Sequence, residues 1–130
     1  MKIMVSYDET EEARESLQLA RKHAKLFHAK VFVVTSMQKV GEHEIKEMED
    51  RQSELDRIQN DLESENISCE THLLVRNLLP GEDLVLFADE HEIDIIYIGR
   101  KKRSKVEKFI LGSNCQHVIL NAGCPVMAVR

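Results

Sequence analysis

The stretch Ile95-Ile96-Tyr97-Ile98-Gly99, followed after a basic loop by Gly112-Ser113-Asn114, decides the fold of this 130-residue chain. Four consecutive apolar residues read as a strand covered on both faces, the mark of a parallel sheet. Gly99 ends the run, and Gly112-Ser113-Asn114 opens a helix that carries Val118, Ile119 and Ala122. Gly123 fits the C-terminal stop of that helix, and residues 125–129 supply a further strand. Strand, helix and strand in this order form a βαβ unit, whose two strands lie parallel in one sheet.

The same alternation runs upstream. Residues 2–6 read as a strand, and Asp8-Glu9-Thr10 offers helix-capping side chains. Ala13, Leu17, Ala20, Ala24 and Phe27 then recur at steps of four and three, so a helix buries this stripe. Residues 31–34 form a second continuous strand. Gly41 breaks the pattern before a long charged helix with a narrow apolar stripe of Ile45, Met48, Leu55, Ile58 and Leu62. Residues 69–75 read as a third strand and Pro80-Gly81 as the turn after it. Leu84, Phe87 and Ala88 give a third helix one buried face, and that helix ends near His91. The expectation is α/β: a three-layer α/β/α sandwich around a five-stranded parallel sheet, with residues 1–130 as one domain. Pro125 cannot donate a ladder hydrogen bond and places the last strand at an edge. Val126-Met127-Ala128-Val129 is an apolar edge. A homodimer joined there and a short edge blunted by Pro125 and Arg130 are equal alternatives.

Hydrophobic residues make up 42% and charged residues 32%, a globular balance rather than a disordered one. The longest apolar runs, residues 84–88 and 95–98, are far too short to span a bilayer. The chain opens directly on a strand with no targeting segment ahead of it, so no membrane role and a cytoplasmic location are expected. Cys69, Cys115 and Cys124 match no metal or redox spacing, and the six histidines are scattered singly, so no metal site is expected. The net charge of −5 is uneven. Residues 42–65 hold ten acidic and three basic residues, leaving fifteen basic against thirteen acidic elsewhere. That distribution argues against a nucleic-acid binder.

Ligands of an open parallel sheet sit beyond the carboxyl ends of its strands. Two loops there carry suitable residues. After the first strand comes Tyr7-Asp8-Glu9-Thr10; after the fourth, Arg100, Lys101, Lys102, Arg103 and Lys105 precede Gly112. Gly99 allows a sharp turn and Gly112 a close backbone approach. A helix opening at Gly112-Ser113 exposes N–H groups and a positive dipole end to an anion, with the Ser113 hydroxyl as a further donor. Read from these residues alone, an ordinary helix start beside a solvated basic loop is an equally simple account.

The pattern extends further. Gly99, Lys102, Gly112 and Ser113 occupy the four positions of a Gly-x2-Gly-x9-Gly-Ser/Thr motif. Together with Asp8, residues 92–99 and Cys124-Pro125-Val126-Met127-Ala128-Val129, they make a chain that resembles the universal stress protein family from end to end. The resemblance implies a sheet order of 3-2-1-4-5, of the adenine nucleotide alpha hydrolase-like type. It also implies a homodimer through the last strand and a bound ATP or related adenine nucleotide, with magnesium only alongside the nucleotide. Carried over by position, Asp8 would hold the adenine edge with Ser6 and Tyr7 beside it, and Ser36 would line the base pocket. Gly99, Gly112, Ser113 and Asn114 would meet ribose and phosphates, with Ile98 and Lys102 also along the nucleotide. Tyr7 is read as packing at the top of the sheet with its hydroxyl in water, in preference to stacking on the base. Asp8 doubles as a helix N-cap. Lys102 departs from the motif's second glycine. In a left-handed conformation a lysine costs about 1–2 kcal/mol, yet it brings charge to a phosphate.

Three functions follow as expectations. The first is a nucleotide-binding module acting in stress response or signalling, with slow or absent turnover because no Walker-type loop or carboxylate pair is present. The second is a nucleotide-independent dimeric scaffold, favoured by Lys102. The third and lowest is a weak ATP hydrolase using His117. A receiver domain is excluded because Val75-Arg76-Asn77 stands where its acceptor aspartate would be. A flavodoxin-like flavin site is excluded because Tyr7-Asp8-Glu9-Thr10 is too acidic for a phosphate loop.

Overall fold

The computed structural model describes residues 1–38, 41–100 and 112–129. Strands β1 (Lys2–Ser6), β2 (Lys30–Ser36), β3 (Cys69–Leu74), β4 (Ile95–Gly99) and β5 (Val126–Val129) alternate with helices α1 (Glu11–Phe27), α2 (Ile45–Ser64), α3 (Pro80–Glu90) and α4 (Ser113–Asn121). The sheet is parallel at all four pairings, in the order β3-β2-β1-β4-β5. This is the expected fold and order.

Side-chain alternation divides the core in two. Ile3, Val5, Val31, Val33 and Tyr97 point to the α1/α2 layer, against Leu17, Ala20, Leu55 and Leu62. Met4, Phe32, Val34, Ile96 and Ile98 point to the α3/α4 layer, against Leu84, Phe87, Cys115 and Val118. Every residue of segments 3–5, 31–34 and 96–98 is thus used by one layer or the other, which is why these segments read as unbroken apolar runs.

Several local readings change. Thr10, not Asp8, caps α1: its Oγ1 accepts from the Ala13 N–H at 3.1 Å, while Asp8 accepts from the Thr10 hydroxyl at 2.6 Å. Phe27, expected inside, is 56% exposed because α1 ends there and the chain reverses at His28 in a left-handed conformation. Only the second half of the α2 stripe is buried, at Leu55, Ile58 and Leu62, with Ile45 exposed and Met48 half-buried. Pro80-Gly81 is the first turn of α3 rather than a turn before it, with Pro80 at a position where its missing N–H leaves no bond unmade. At the end of α4 the stop is Ala122 in an extended conformation, not Gly123.

No described glycine has a positive φ. The left-handed positions fall instead on Glu9, His28, Asn66, Asn77 and Glu92. Gly99 serves a different purpose from the sharp turn expected of it. A Cβ there would lie 2.7 Å from the Glu12 carbonyl carbon and 2.8 Å from the Ala13 nitrogen, so it lets the first turn of α1 press onto the end of β4.

Candidate functional site

The carboxyl ends of β1, β2 and β4 and the starts of α3 and α4 enclose a cleft of about 240 Å³. Nine of the ten residues singled out from the sequence line it: Ser6, Tyr7, Asp8, Ser36, Ile98, Gly99, Gly112, Ser113 and Asn114. The tenth, Lys102, lies outside the described residues, as does the rest of the basic loop after Arg100. Two loops far apart in sequence converge because β1 and β4 are neighbours: Ser6 pairs with Ile98 at the head of the sheet.

At one end of the cleft stands α4. Its N-cap, Gly112, has extended backbone (φ −60°, ψ 150°) and no side chain caps it. The first intrahelical bond runs from the Gln116 N–H to the Gly112 carbonyl, so the preceding N–H groups have no place in the helical ladder. The first turn carries no acidic side chain to neutralise the dipole, and an added Cβ on Gly112 would meet no atom of the described residues within 4 Å. Asn114 uses its side chain inward, accepting from the Gly81 N–H at 3.1 Å and tying α4 to α3. Gly81 is required there, since a Cβ would press on the Asn114 backbone at 3.2 Å.

At the other end stands Ser36, the last residue of β2 rather than a residue after it. Its hydroxyl donates to Asp83 Oδ2 at 2.7 Å. Asp83, in the first turn of α3, is 0% exposed. The Arg76 guanidinium binds its other oxygen at 2.6 Å and reaches Glu90 at 2.7 Å, which raises the arginine's already high pKa, chiefly through the Glu90 bond.

Between these ends, Asp8 is the sole carboxylate among the described residues lining the cleft. The ring of Tyr7 is built into the α1/α2 core, and its hydroxyl donates to Glu54 at 3.2 Å instead of facing water. Burial first, and then the Glu54 charge, push its pKa up. The ring is thus packed, at 4% exposure, while the residue still lines the cleft. Cys115 forms part of the floor, and burial raises its pKa, against a smaller opposing pull from Arg100.

Sequence reading missed Arg51. It sits on the acidic α2 yet lines the cleft beside Ser36, its Nε and Nη2 donating to Glu47 at 3.1 and 3.0 Å. The signal was present as a cation at i+4 from a glutamate, but that pair also suits a purely solvated face. His117 lies against Gly81 and bonds with Asn121; it does not line the cleft. Among the described residues, no group of three or more His, Cys, Asp or Glu is placed to hold a metal ion. No described helix is long and apolar enough to cross a membrane. At the sheet's far side β5 pairs with β4 only, and Met127 is 36% exposed.

Residues 1–130 match the model of the universal stress protein family. A universal stress protein of Methanocaldococcus jannaschii is 28% identical over 140 aligned positions, covering 99% of this chain and 81% of that protein. The solved structure of a universal stress protein from Archaeoglobus fulgidus superposes with a TM-score of 0.87 at 34% identity, covering 100% of this chain and 98% of that one. A structure of the universal stress protein from the same organism in complex with dAMP superposes with a TM-score of 0.81 at 31% identity, over 100% and 98% of the two chains.

Proposed function

This chain belongs to the universal stress protein family, and from that premise we propose that it binds ATP or a related adenine nucleotide in the cleft between the loops after β1 and β4. The observation that carries this reading is the uncapped, acid-free start of α4 opening into the cleft that gathers nine of the residues named from the sequence. A helix start of this kind attracts an anion through its free N–H groups and its dipole. The similarity to a chain solved with dAMP supports the nucleotide's chemistry. Phosphates then lie against Gly112, Ser113 and the backbone of Asn114, and the base lies toward Asp8 and Ser36. Magnesium accompanies the phosphates, because the cleft's described lining offers one carboxylate rather than a pair.

The protein acts as a nucleotide-responsive module in stress response or signalling, working through dimer or partner contacts in the cytoplasm. Turnover is slow or absent. The free edge of β5, through Val126, Met127, Ala128 and Val129, pairs two copies, since an apolar edge strand is otherwise open to indiscriminate pairing.

Equilibrium binding of labelled ATP to nucleotide-stripped protein tests the proposal, together with mass spectrometry of small molecules released on denaturation. Saturable binding at one nucleotide per chain is expected; no nucleotide under either protocol sinks it. The second reading, a scaffold that ignores nucleotide, rests on Lys102 at the motif's second glycine position. It prevails if affinity for ATP appears only in Lys102→Gly. For the dimer, sedimentation of Met127→Arg reads out as monomer, and an unchanged mass removes β5 from the interface.

A further inference from the structure

We propose that Ser36, oriented by the buried Asp83–Arg76 pair, selects a purine with a 6-amino group over one with a 6-oxo group. The inference rests on the proposed nucleotide site and adds the means by which that site recognises its base.

A serine hydroxyl has a single proton to donate. Ser36 Oγ donates it to Asp83 Oδ2 at 2.7 Å. Asp83 cannot return a hydrogen bond: it is fully buried, and Arg76 binds Oδ1 at 2.6 Å and the main-chain carbonyl of the same residue at 3.2 Å. Arg76 is itself braced by Glu90. The proton of Ser36 is therefore committed, so toward the cleft that Ser36 lines its oxygen has only lone pairs to offer. A ligand group that donates, such as an exocyclic amine, completes it. A carbonyl at the same place would set two acceptors against each other, or strip a hydrogen bond from a buried carboxylate.

Topology places Ser36 at the base end. The anion-attracting start of α4 follows β4, and β2 lies two strands away, at about 10 Å for a strand spacing near 4.8 Å. Arg51 is the donor nearest in kind, but two of its N–H positions are spent on Glu47.

Calorimetric titration with ATP and with inosine triphosphate, which carries a 6-oxo group and an N1–H in place of the 6-amino group and bare N1 of ATP, separates the possibilities. The wild-type chain should prefer ATP by about tenfold or more, the worth of one hydrogen bond gained or opposed. Ser36→Ala should weaken ATP by about tenfold, leave inosine triphosphate nearly unchanged and so erase the preference. Asp83→Asn presents an amide that donates to Ser36 and frees its proton for the ligand, so inosine triphosphate should tighten while ATP weakens. A merely structural loss would weaken both. If Asp83→Asn does not fold, Ser36→Ala decides the matter alone. Equal affinities in the wild type, or a preference that survives Ser36→Ala, overturn the inference and leave the nucleotide site standing. A preference erased by Arg51→Ala but not by Ser36→Ala assigns selection to α2 and also overturns it. Failure of the wild type to bind either nucleotide removes the site and the inference together.

Discussion

At the β2 end of the cleft, polar side chains are already engaged by neighbours: Ser36 with Asp83, Asp83 with Arg76, Arg51 with Glu47. At the α4 end, the helix start carries no acidic first turn, and among the described residues no side chain caps it and none lies within 4 Å of a Cβ added to its N-cap glycine. The contrast separates two ways of preparing a surface for a ligand. Engaged side chains have fixed donor and acceptor roles, so they discriminate between ligands of similar size. Open backbone donors discriminate little but supply attraction to any anion, at no cost in side-chain ordering.

The largest test breaks the engaged end. Arg76→Ala removes the cation from a fully buried carboxylate and should destabilise the fold by about 3 kcal/mol, toward the lower figure for broken buried pairs because Arg76 is partly exposed. Urea denaturation measures this, and a loss below about 1 kcal/mol would mean that Asp83 is stabilised without Arg76. The next sharpens the open end by comparing its two glycines. Gly99→Ala forces a methyl group against the α1 backbone and should cost about 2 kcal/mol. Gly112→Ala meets none of the described residues and should change stability by less than about 0.5 kcal/mol. Equal losses at the two positions would show that the α4 start is as closely packed as the end of β4. Tyr7→Phe deletes the hydroxyl that links the end of β1 to Glu54 on α2, and about 1 kcal/mol should be lost in the same denaturation assay.

The fold was legible because continuous apolar runs admit few alternatives when they alternate with amphipathic helices. The sheet order itself came from the family resemblance, not from those runs. Glycine was the poorer guide. Gly81 and Gly99 look like turn residues in the sequence, but both are small for the sake of a neighbouring helix, a relation between residues 33 and 87 positions apart. The turn expected at Pro80-Gly81 falls in the β3–α3 connection, where Asn77 takes the positive φ instead. Much of the cleft's lining was legible, Gly99, Gly112 and Ser113 from the motif and Ser6, Tyr7, Asp8 and Ser36 from the family resemblance, since these residues lie at the ends of adjacent strands and at a helix start. Its internal wiring was not: Arg76 and Asp83 carry no periodic signal, and Arg51 sits in a helix whose composition suggests only solvent.

A small effect on stability here carries the sharpest contrast in function. Ser113→Asp places a carboxylate at the first position of α4, where it complements the helix dipole and should stabilise the protein by about 0.3–1 kcal/mol. The same charge occupies the place proposed for a phosphate, so affinity for ATP should fall by about tenfold or more, with adenosine much less affected. Thermal denaturation and titration on one sample read the two signs together. Stability and ATP affinity moving in opposite directions locate the phosphates at α4; a variant that binds ATP as the wild type does would place them elsewhere and leave the start of α4 as an ordinary uncapped helix end.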